Sequence, residues 1–439
     1  MTEQRPLKVL VAAYAFSPIR GSEFATGWDY VRAIAARHRV WVIARSNEQQ
    51  QTEEFLHQHS EVLHNVRVHY VPFTSRSFSY PLGEIPYYFL YRYWQWRAYR
   101  LGRTLDKTFD FDLVHHINGT GFREPGYLWK LAKPFVWGPV NGLQFFPLKL
   151  SSAVPFRSRI FFAVKNLSTL WAMHLAQRPK LAATRASAII AATTTAAAGI
   201  KRLWGRESTL LCEVSVSDWE PKPPARRSPG EPLRIIWAGT CEPRKALNIV
   251  LYALDRLRES PVGWQLIAIG TGAQGTKWKT LAATLGIADR CSFLGKLPRA
   301  EVLRVMAAGH CFVQPSLYDG TPTVVAEALA HGLPVICLDQ FGCKDVISSA
   351  CGVKIAPNNL DQIIRDFAEA IRFLWQNEES RYAMALGAQR AARRLSYKYK
   401  EKVINQLYAS VLVGGRLADP SPSCRHDRIS PQLAKQPGP

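Results

Sequence analysis

The sequence predicts an α/β protein of two doubly wound, Rossmann-like domains, and three observations carry that prediction. Leu7 to Ala13 is an apolar run followed by a Gly-containing loop, a stretch with Trp28, Val31, Ile34 and Ala35 at helical spacing, and a second apolar run at Val40 to Ala44. Strand, loop, helix, strand is how such a domain opens. Far downstream the pattern recurs. Cys311 to Val313 is apolar, Ser316 to Pro322 is turn chemistry, a helix runs from about Thr323, His331-Gly332 ends it, and Leu333 to Cys337 is the next strand. Between the two lies a linker over 217–232 that holds Pro221, Pro223, Pro224, Pro229 and Pro232. With 439 residues, 47% hydrophobic and 21% charged, the chain can bury two cores.

The first domain, 1–216, continues with a strand at Val66 to Val71. From Tyr87 to Leu105 a helix gathers Tyr87, Leu90, Trp94, Leu101 and Leu105 on one face, and Arg92, Arg97, Arg100 and Arg103 with Phe89, Tyr93 and Trp96 on the other. Phe111 to Asn118 reads as a strand with His115 and His116 at its carboxyl end. Neighbours on a strand point to opposite faces, so the two side chains part and which of them is functional stays open. Asp110-Phe-Asp112 precedes that strand and reads as structural. Phe135 to Gly142 is the next strand and loop, with Gly138, Asn141 and Gly142 at the cleft. Pro155 to Leu175 is a second aromatic and basic stretch. Ala188 to Ala192, a helix over Thr193 to Trp204, and Leu210 to Val214 close the domain.

The second domain, 233–395, opens on a strand ending at Gly239, with Arg244 and Lys245 at the entrance of a helix that starts near Ala246. Strands at Trp264 to Gly270 and Cys291 to Leu294, a helix over Arg299 to Ala308, and an amphipathic helix over Leu360 to Trp375 follow. The last helix spans Ser396 to Leu412. The tail, 414–439, is rich in proline and poor in apolar residues, the composition of a disordered segment.

The net charge of +22 is concentrated: no acidic residue lies between Glu124 and Glu207, where Lys149, Arg157, Arg159, Lys165, Arg178 and Lys180 fall. Nucleic acid and an anionic membrane are the usual partners of such a segment. No nucleic-acid-binding signature accompanies it, whereas arginines interleaved with aromatics suit lipid headgroups. The reading is therefore an anionic membrane surface and no nucleic acid. The first residues do not form a signal peptide, and no window of about 18 apolar residues spans a bilayer. The eight scattered cysteines read as free thiols of a reducing compartment. A cytoplasmic protein, peripheral on the inner face of the membrane, follows.

The chemistry centres on Asp319 and Glu327. Between them lie Gly320, Thr321 and Thr323, whose backbone amides at a helix N-terminus suit a phosphate. A carboxylate on either side can accept hydroxyl hydrogen bonds, one from a ribose diol and one from a sugar. Arg244 and Lys245 are cations at a strand's carboxyl edge, where a diphosphate would lie. Gly21-Ser22 lets backbone approach a ligand in the same cleft. G-x-G-x-x-G is missing, so dinucleotide binding is unsupported.

The segment from Val313 to Cys337 resembles the signature of glycosyltransferase family 4. There two acidic residues separated by seven precede a small-x-Gly-x-Pro-Val turn. Gly21-Ser22-Glu23 with Gly27-Trp28 is similar to one bacterial subgroup, and Lys245 matches the family's lysine, while Thr240 replaces its arginine. The resemblance implies the GT-B fold, two Rossmann-like domains facing across a cleft, with helix 396–412 crossing back onto the first. It implies metal-independent, retaining transfer of a hexose from a nucleotide-diphosphate sugar to a saccharide or lipid-linked acceptor, in cell-surface polysaccharide biosynthesis, with no cofactor beyond the co-substrate. Glu327 would bind ribose and Asp319 the donor hexose. Lys245 and Arg244 would stabilise the leaving diphosphate, and His115 or His116 would lie near the transferred sugar. Ser316, Gly320, Thr321, Thr323, Gly21 and Ser22 would complete the donor side. A GT-B sugar-nucleotide epimerase and a non-catalytic basic membrane- or nucleic-acid-binding protein are the alternatives. A phosphorylase lacks a signal for its pyridoxal lysine.

Overall fold

The computed structural model describes residues 5–59, 63–73, 84–119, 121–216 and 219–413, with the side chains of 84–86 left out. The proline-rich tail and the first two linker residues, 217 and 218, lie outside the described residues. In chain order the first sheet comprises β1 (Lys8–Ala12), β2 (Arg39–Arg45), β3 (Val66–Val71), β4 (Leu113–His116), β5 (Phe135–Val140), β6 (Ala188–Ala191) and β7 (Thr209–Leu210). Its helices are α1 (Glu23–Ala35), α2 (Gln49–Gln58), α3 (Glu84–Phe109), α4 (Phe156–Leu175), α5 (Gln177–Arg185) and α6 (Thr194–Trp204). The strands pair in the order β3-β2-β1-β4-β5-β6-β7, all parallel. The Val- and Ile-rich runs of β1 and β2 are buried almost throughout, as strands covered on both faces must be.

The second sheet follows the linker. Its elements are β8 (Leu233–Ala238), α7 (Leu247–Asp255), β9 (Trp264–Ile269), α8 (Gly275–Thr284), β10 (Cys291–Gly295), α9 (Arg299–Ala307), β11 (Cys311–Gln314), α10 (Thr323–Ala330), β12 (Val335–Leu338), α11 (Phe341–Val346) and β13 (Gly352–Ile355). Its order is β10-β9-β8-β11-β12-β13, again parallel. Helices α12 (Leu360–Gln376), α13 (Glu378–Arg393) and α14 (Tyr397–Val413) end the described chain. Strand order reverses between β1 and β4 in one sheet and between β8 and β11 in the other. Loops diverge at such switch points and leave a crevice at the strands' carboxyl ends.

Three contacts set the two sheets in place. Helix α14 returns to the first domain, where Ile404, Leu407 and Tyr408 join the core of Tyr30 and Ile34 beneath α1. Phe146, Leu150, Ala153, Val154 and Phe162, from the first-domain side, join the core cluster of Trp237 and Leu251 in the second, and Asn248 Nδ2 donates to Ala153 O at 3.0 Å. The linker is pinned to the second domain: fully buried Arg381 donates to Ala225 O at 2.7 Å, and Glu378 Oε1 accepts from Arg227 N at 2.9 Å. Prolines in a segment anchored this way limit its backbone freedom.

The structure corrects the placing of the two histidines. They do point to opposite faces of β4, but helices cover both faces. His115 is sealed under α14, with Nδ1 2.7 Å from the Tyr408 hydroxyl and Nε2 2.8 Å from Gly138 O. His116 is buried on the α3 side against Gly126 and Gln95. Neither reaches the cleft. Burial pushes their pKa values down to about 4 and about 3, and His310, buried between Arg234 and Arg381, falls to about 4. All three lie below the ordinary 6.5, so between pH 6.5 and 4 the unfolded chain binds more protons than the native one. Stability present above pH 6.5 is lost as pH falls, by about 2 kcal/mol per histidine at pH 5. Urea melts from pH 8 to pH 5 should show a falling midpoint; a flat profile would contradict buried neutral imidazoles.

Candidate active site in the interdomain cleft

The crevices of the two sheets meet in a cavity of about 340 Å³. The first domain lines it with Ser22, Glu23 and Thr26 at the start of α1, with Gly121, Asn141, Gly142 and Gln144 in the loops after β4 and β5, and with Glu213 after β7. The second contributes Tyr318, Asp319, Gly320, Thr321 and Thr323 from the loop between β11 and α10.

The first-domain wall is built by a close approach of α1. Ser22 takes a left-handed φ of 59°, which turns the chain sharply into the helix. Gly27 then packs so tightly that a Cβ there would run into Ala15 O and Asn118. Asn118 fastens these loops. Its Oδ1 accepts from Ala15 N at 3.2 Å, and its Nδ2 donates to Ala15 O at 2.6 Å and to Glu23 O at 3.1 Å. Glu23 Oε1 accepts from Gly119 N at 2.8 Å. At the end of β4, Asn118 organises the cleft rather than the histidines before it.

The second-domain wall is electrostatic. After β8 the chain turns through Ala246, at φ 46°, and presents Arg244 and Lys245 to the β11–α10 loop. Asp319 answers both cations: Oδ1 lies 3.1 Å from Arg244 Nη1, and Oδ2 pairs with Lys245 Nζ. Arg244 also holds Glu242 Oε2 at 2.8 Å and Tyr318 O at 3.2 Å. Both oxygens of Asp319 are therefore committed to cations.

The walls are joined by two bridges. Gln144 Nε2 donates to Asp319 O at 2.6 Å. Glu213 Oε1 accepts from Thr321 N at 2.9 Å and from Asn141 Nδ2 at 3.0 Å. A Cβ on Gly320 would lie 2.7 Å from that oxygen and 2.9 Å from Asn141 Nδ2, so glycine is what lets the loop meet the carboxylate. Burial pushes the Glu213 carboxyl up from its ordinary pKa, and the amide hydrogen bond from Thr321 opposes this.

Of the residues the sequence singled out, Ser22, Asp319, Gly320, Thr321 and Thr323 line the cavity, and Arg244 and Lys245 adjoin it through Asp319. Gly21 forms the turn beside it. Ser316 lies below, accepting from Gln314 Nε2 at 2.7 Å. Glu327 is one turn beyond Thr323 on α10, where Arg299 Nε donates to it at 3.0 Å, and it does not line the cavity. Sequence reading missed Glu213, Gln144 and Asn118. Glu213 carried a signal, an acid inside the apolar run from Leu210 to Val214. Gln144 and Asn118 carried none.

A family model described as glycosyl transferases group 1 matches residues 220–391. Among curated proteins the chain is 28% identical over 190 residues to O-antigen chain mannosyltransferase B of Escherichia coli, covering 37% of this chain and 49% of that protein. The matched region spans about half the length of the curated relatives. Among solved structures, sucrose-phosphate synthase from Thermosynechococcus elongatus has a TM-score of 0.67 at 15% identity over 93% of this chain and 100% of that one. HepE from Anabaena in complex with UDP has a TM-score of 0.60 at 16% identity, covering 92% and 100%. Likeness at that identity, along nearly the whole length, shows a shared fold. Two parallel-sheet domains face across a cleft in the GT-B arrangement, and the stretch similar to the glycosyl transferases group 1 model, residues 220–391, falls in the second of them and the linker before it.

Proposed function

We propose that this protein transfers a hexose from a nucleoside-diphosphate sugar to a saccharide or lipid-linked acceptor in polysaccharide biosynthesis, with retention at the anomeric carbon and without a metal ion. One observation carries the reading. Arg244 and Lys245 meet Asp319 in the loop that leads to the Thr323 amide at the α10 N-terminus, at the switch point of one sheet and across the cavity from the other. That arrangement suits a diphosphate leaving group. The UDP held by HepE and the mannosyltransferase activity of the Escherichia coli relative are consistent with it. In the proposed step the anomeric carbon–oxygen bond breaks and its electron pair goes to the diphosphate. Arg244, Lys245 and the Thr323 amide take up the charge. The acceptor hydroxyl attacks on the same face and passes its proton to the leaving phosphate oxygen. Asp319 yields its cations to the phosphates, and Glu327 turns to the ribose. Cations in place of a metal make the reaction independent of chelators.

The proposal includes an anionic membrane surface, and α4 is the element that supports it. Phe156, Ile160, Val164, Leu167, Trp171 and Leu175 recur at helical spacing and are 52–70% exposed, while Phe162, Thr169, Ala172 and Met173 face inward. Arg157 and Arg159 flank the apolar stripe, as in helices that lie in a bilayer interface. Helix α3 adds exposed Phe89, Tyr93 and Trp96. Its Arg92 has a structural role instead, 2.6 Å from buried Glu124, which Arg178 also meets at 2.5 Å. No helix among the described residues is long and apolar enough to cross a membrane.

Thermal melts against UDP- and GDP-sugars test the donor, since a ligand of the native state raises the midpoint. Absence of any shift would refute the reading. Lys245→Ala should lower kcat by about 10²–10³ with a smaller change in KM, because charge develops on the diphosphate as the bond breaks. Glu327→Gln should weaken nucleotide binding by about 1.5–3 kcal/mol in calorimetry. Co-sedimentation with anionic vesicles should fall with salt, at about 1 kcal/mol per basic residue near the surface. Leu167→Ser with Trp171→Ser should abolish the salt-resistant part; undiminished binding of that variant would remove α4 from the membrane.

A further inference from the structure

The cavity is walled by polar groups of both domains, yet the carboxylate expected to contact the donor hexose, Asp319, lines it with both oxygens already engaged. Its two oxygens are held by Arg244 and Lys245. Another carboxylate stands in the opposite wall. Glu213 lines the cavity and is 8% exposed, and it is fixed at one oxygen by two donors, Thr321 N and Asn141 Nδ2. Its other oxygen, Oε2, has a weaker side-chain partner, the Cys212 thiol at 3.9 Å. A second observation points into the same space. Gln144 Oε1 is buried at the cavity wall and has no hydrogen-bond partner among the described residues. Its amide nitrogen is held by Asp319 O, so that acceptor is aimed rather than free to rotate. Buried acceptors without a donor are costly, and a ligand with hydroxyl groups satisfies them. About 340 Å³ is at the small end of ligand pockets, a size suited to one sugar ring.

We propose that Glu213 is the residue that reads the transferred sugar: Oε2, with Gln144 Oε1 on the same cavity wall, accepts hydrogen bonds from hydroxyls of the donor hexose and sets donor-sugar specificity. The inference rests on the nucleoside-diphosphate-sugar reading above and assigns the sugar contact to a residue outside the second domain. Oε1 is held by the Thr321 amide, which leaves Oε2, whose side-chain partner is the Cys212 thiol at 3.9 Å, as the acceptor offered to the sugar. A sugar held between the domains would complete the contact between them. A site built to bond a hydroxyl rejects an analogue lacking or misplacing it far more strongly than an apolar pocket can, because the buried acceptor is left unpaired.

The test compares Glu213→Gln with wild type by calorimetry against UDP, GDP, UDP-glucose, UDP-galactose and GDP-mannose, with kcat/KM for the sugar nucleotide that binds best. The glutamine side-chain oxygen can keep the Thr321 amide bond, so the expected result is nucleoside-diphosphate affinity within threefold of wild type. The matching sugar nucleotide should lose tenfold or more in affinity and in kcat/KM, and the discrimination between glucose and galactose donors should narrow. Equal losses for UDP and for UDP-sugar would overturn the proposal in favour of loop support. No loss for either would overturn it outright. A wild-type protein that binds none of the five would overturn the donor reading and this inference together. Melting temperatures accompany each variant, and Glu213→Asp, which withdraws the carboxylate by one methylene, carries the same comparison if Glu213→Gln does not fold.

Discussion

Asp319 ties Arg244 and Lys245 together at the carboxyl edge of β8, with Glu242 as a second counter-charge for Arg244, and the geometry of the cleft depends on that contact. Two cations side by side repel each other, and partial burial raises the cost of both. Asp319 offsets the cost with one oxygen for each. The same contact fixes the β11–α10 loop, because Arg244 also binds Tyr318 O and Leu317 N donates to Arg244 O at 2.8 Å. The turn that carries the α10 amides is thereby set beside the cations. A monoanion between two cations is also a place a diphosphate can take over, since it brings more charge and more oxygens.

The first domain reaches this loop through groups that no local pattern announces. Gln144 and Glu213 meet Asp319 O and Thr321 N from across the cleft, and Gly320 is bare enough to admit the Glu213 carboxylate. Below them, Phe146 stacks on Phe162 at 4.1 Å between ring centroids, and Phe162 lies 6.1 Å from Tyr318. An apolar contact fixes the distance between the domains, and polar bridges above it fix the register. Helix α4 belongs to both arrangements: its inner face carries Phe162 to the β11–α10 loop, and its outer face is an apolar stripe exposed among the described residues. The absence of acids between Glu124 and Glu207 then places positive charge around that stripe.

Much of this was legible in the residues, for a physical reason. Parallel strands are buried on both faces, so they read as short apolar runs, and β1, β2, β6, β9 and β11 stand where those runs lie. Thr193 as the cap of α6, accepting from Ala196 N at 3.1 Å, and Gly332 at φ 71° after α10 are local chemistry, decided within one turn of chain. Helices α2 and α13 escaped the pattern. The first is a run of glutamines and glutamates with Phe55 and Leu56, and the second packs through Ala385, Gly387, Ala388 and Ala392, too small to mark a face.

What the sequence by itself determined is the βα order of both domains, the place of the cations and of the α10 amides, and the concentration of positive charge. Each rests on residues near one another in the chain. Which carboxylates face the cavity was decided by tertiary structure alone. Asp319 lines the cavity with both oxygens engaged because two cations from a loop 74 residues earlier claim them. His115 and His116 are sealed because α14, 293 residues from His115, supplies Tyr408 on one face while α3 covers the other. Glu213 enters the cleft because Thr321, 108 residues on, offers a free helix-terminal amide. An ionisable side chain goes where its counter-charge or hydrogen-bond partner waits, and at these positions the partner comes from a distant part of the chain.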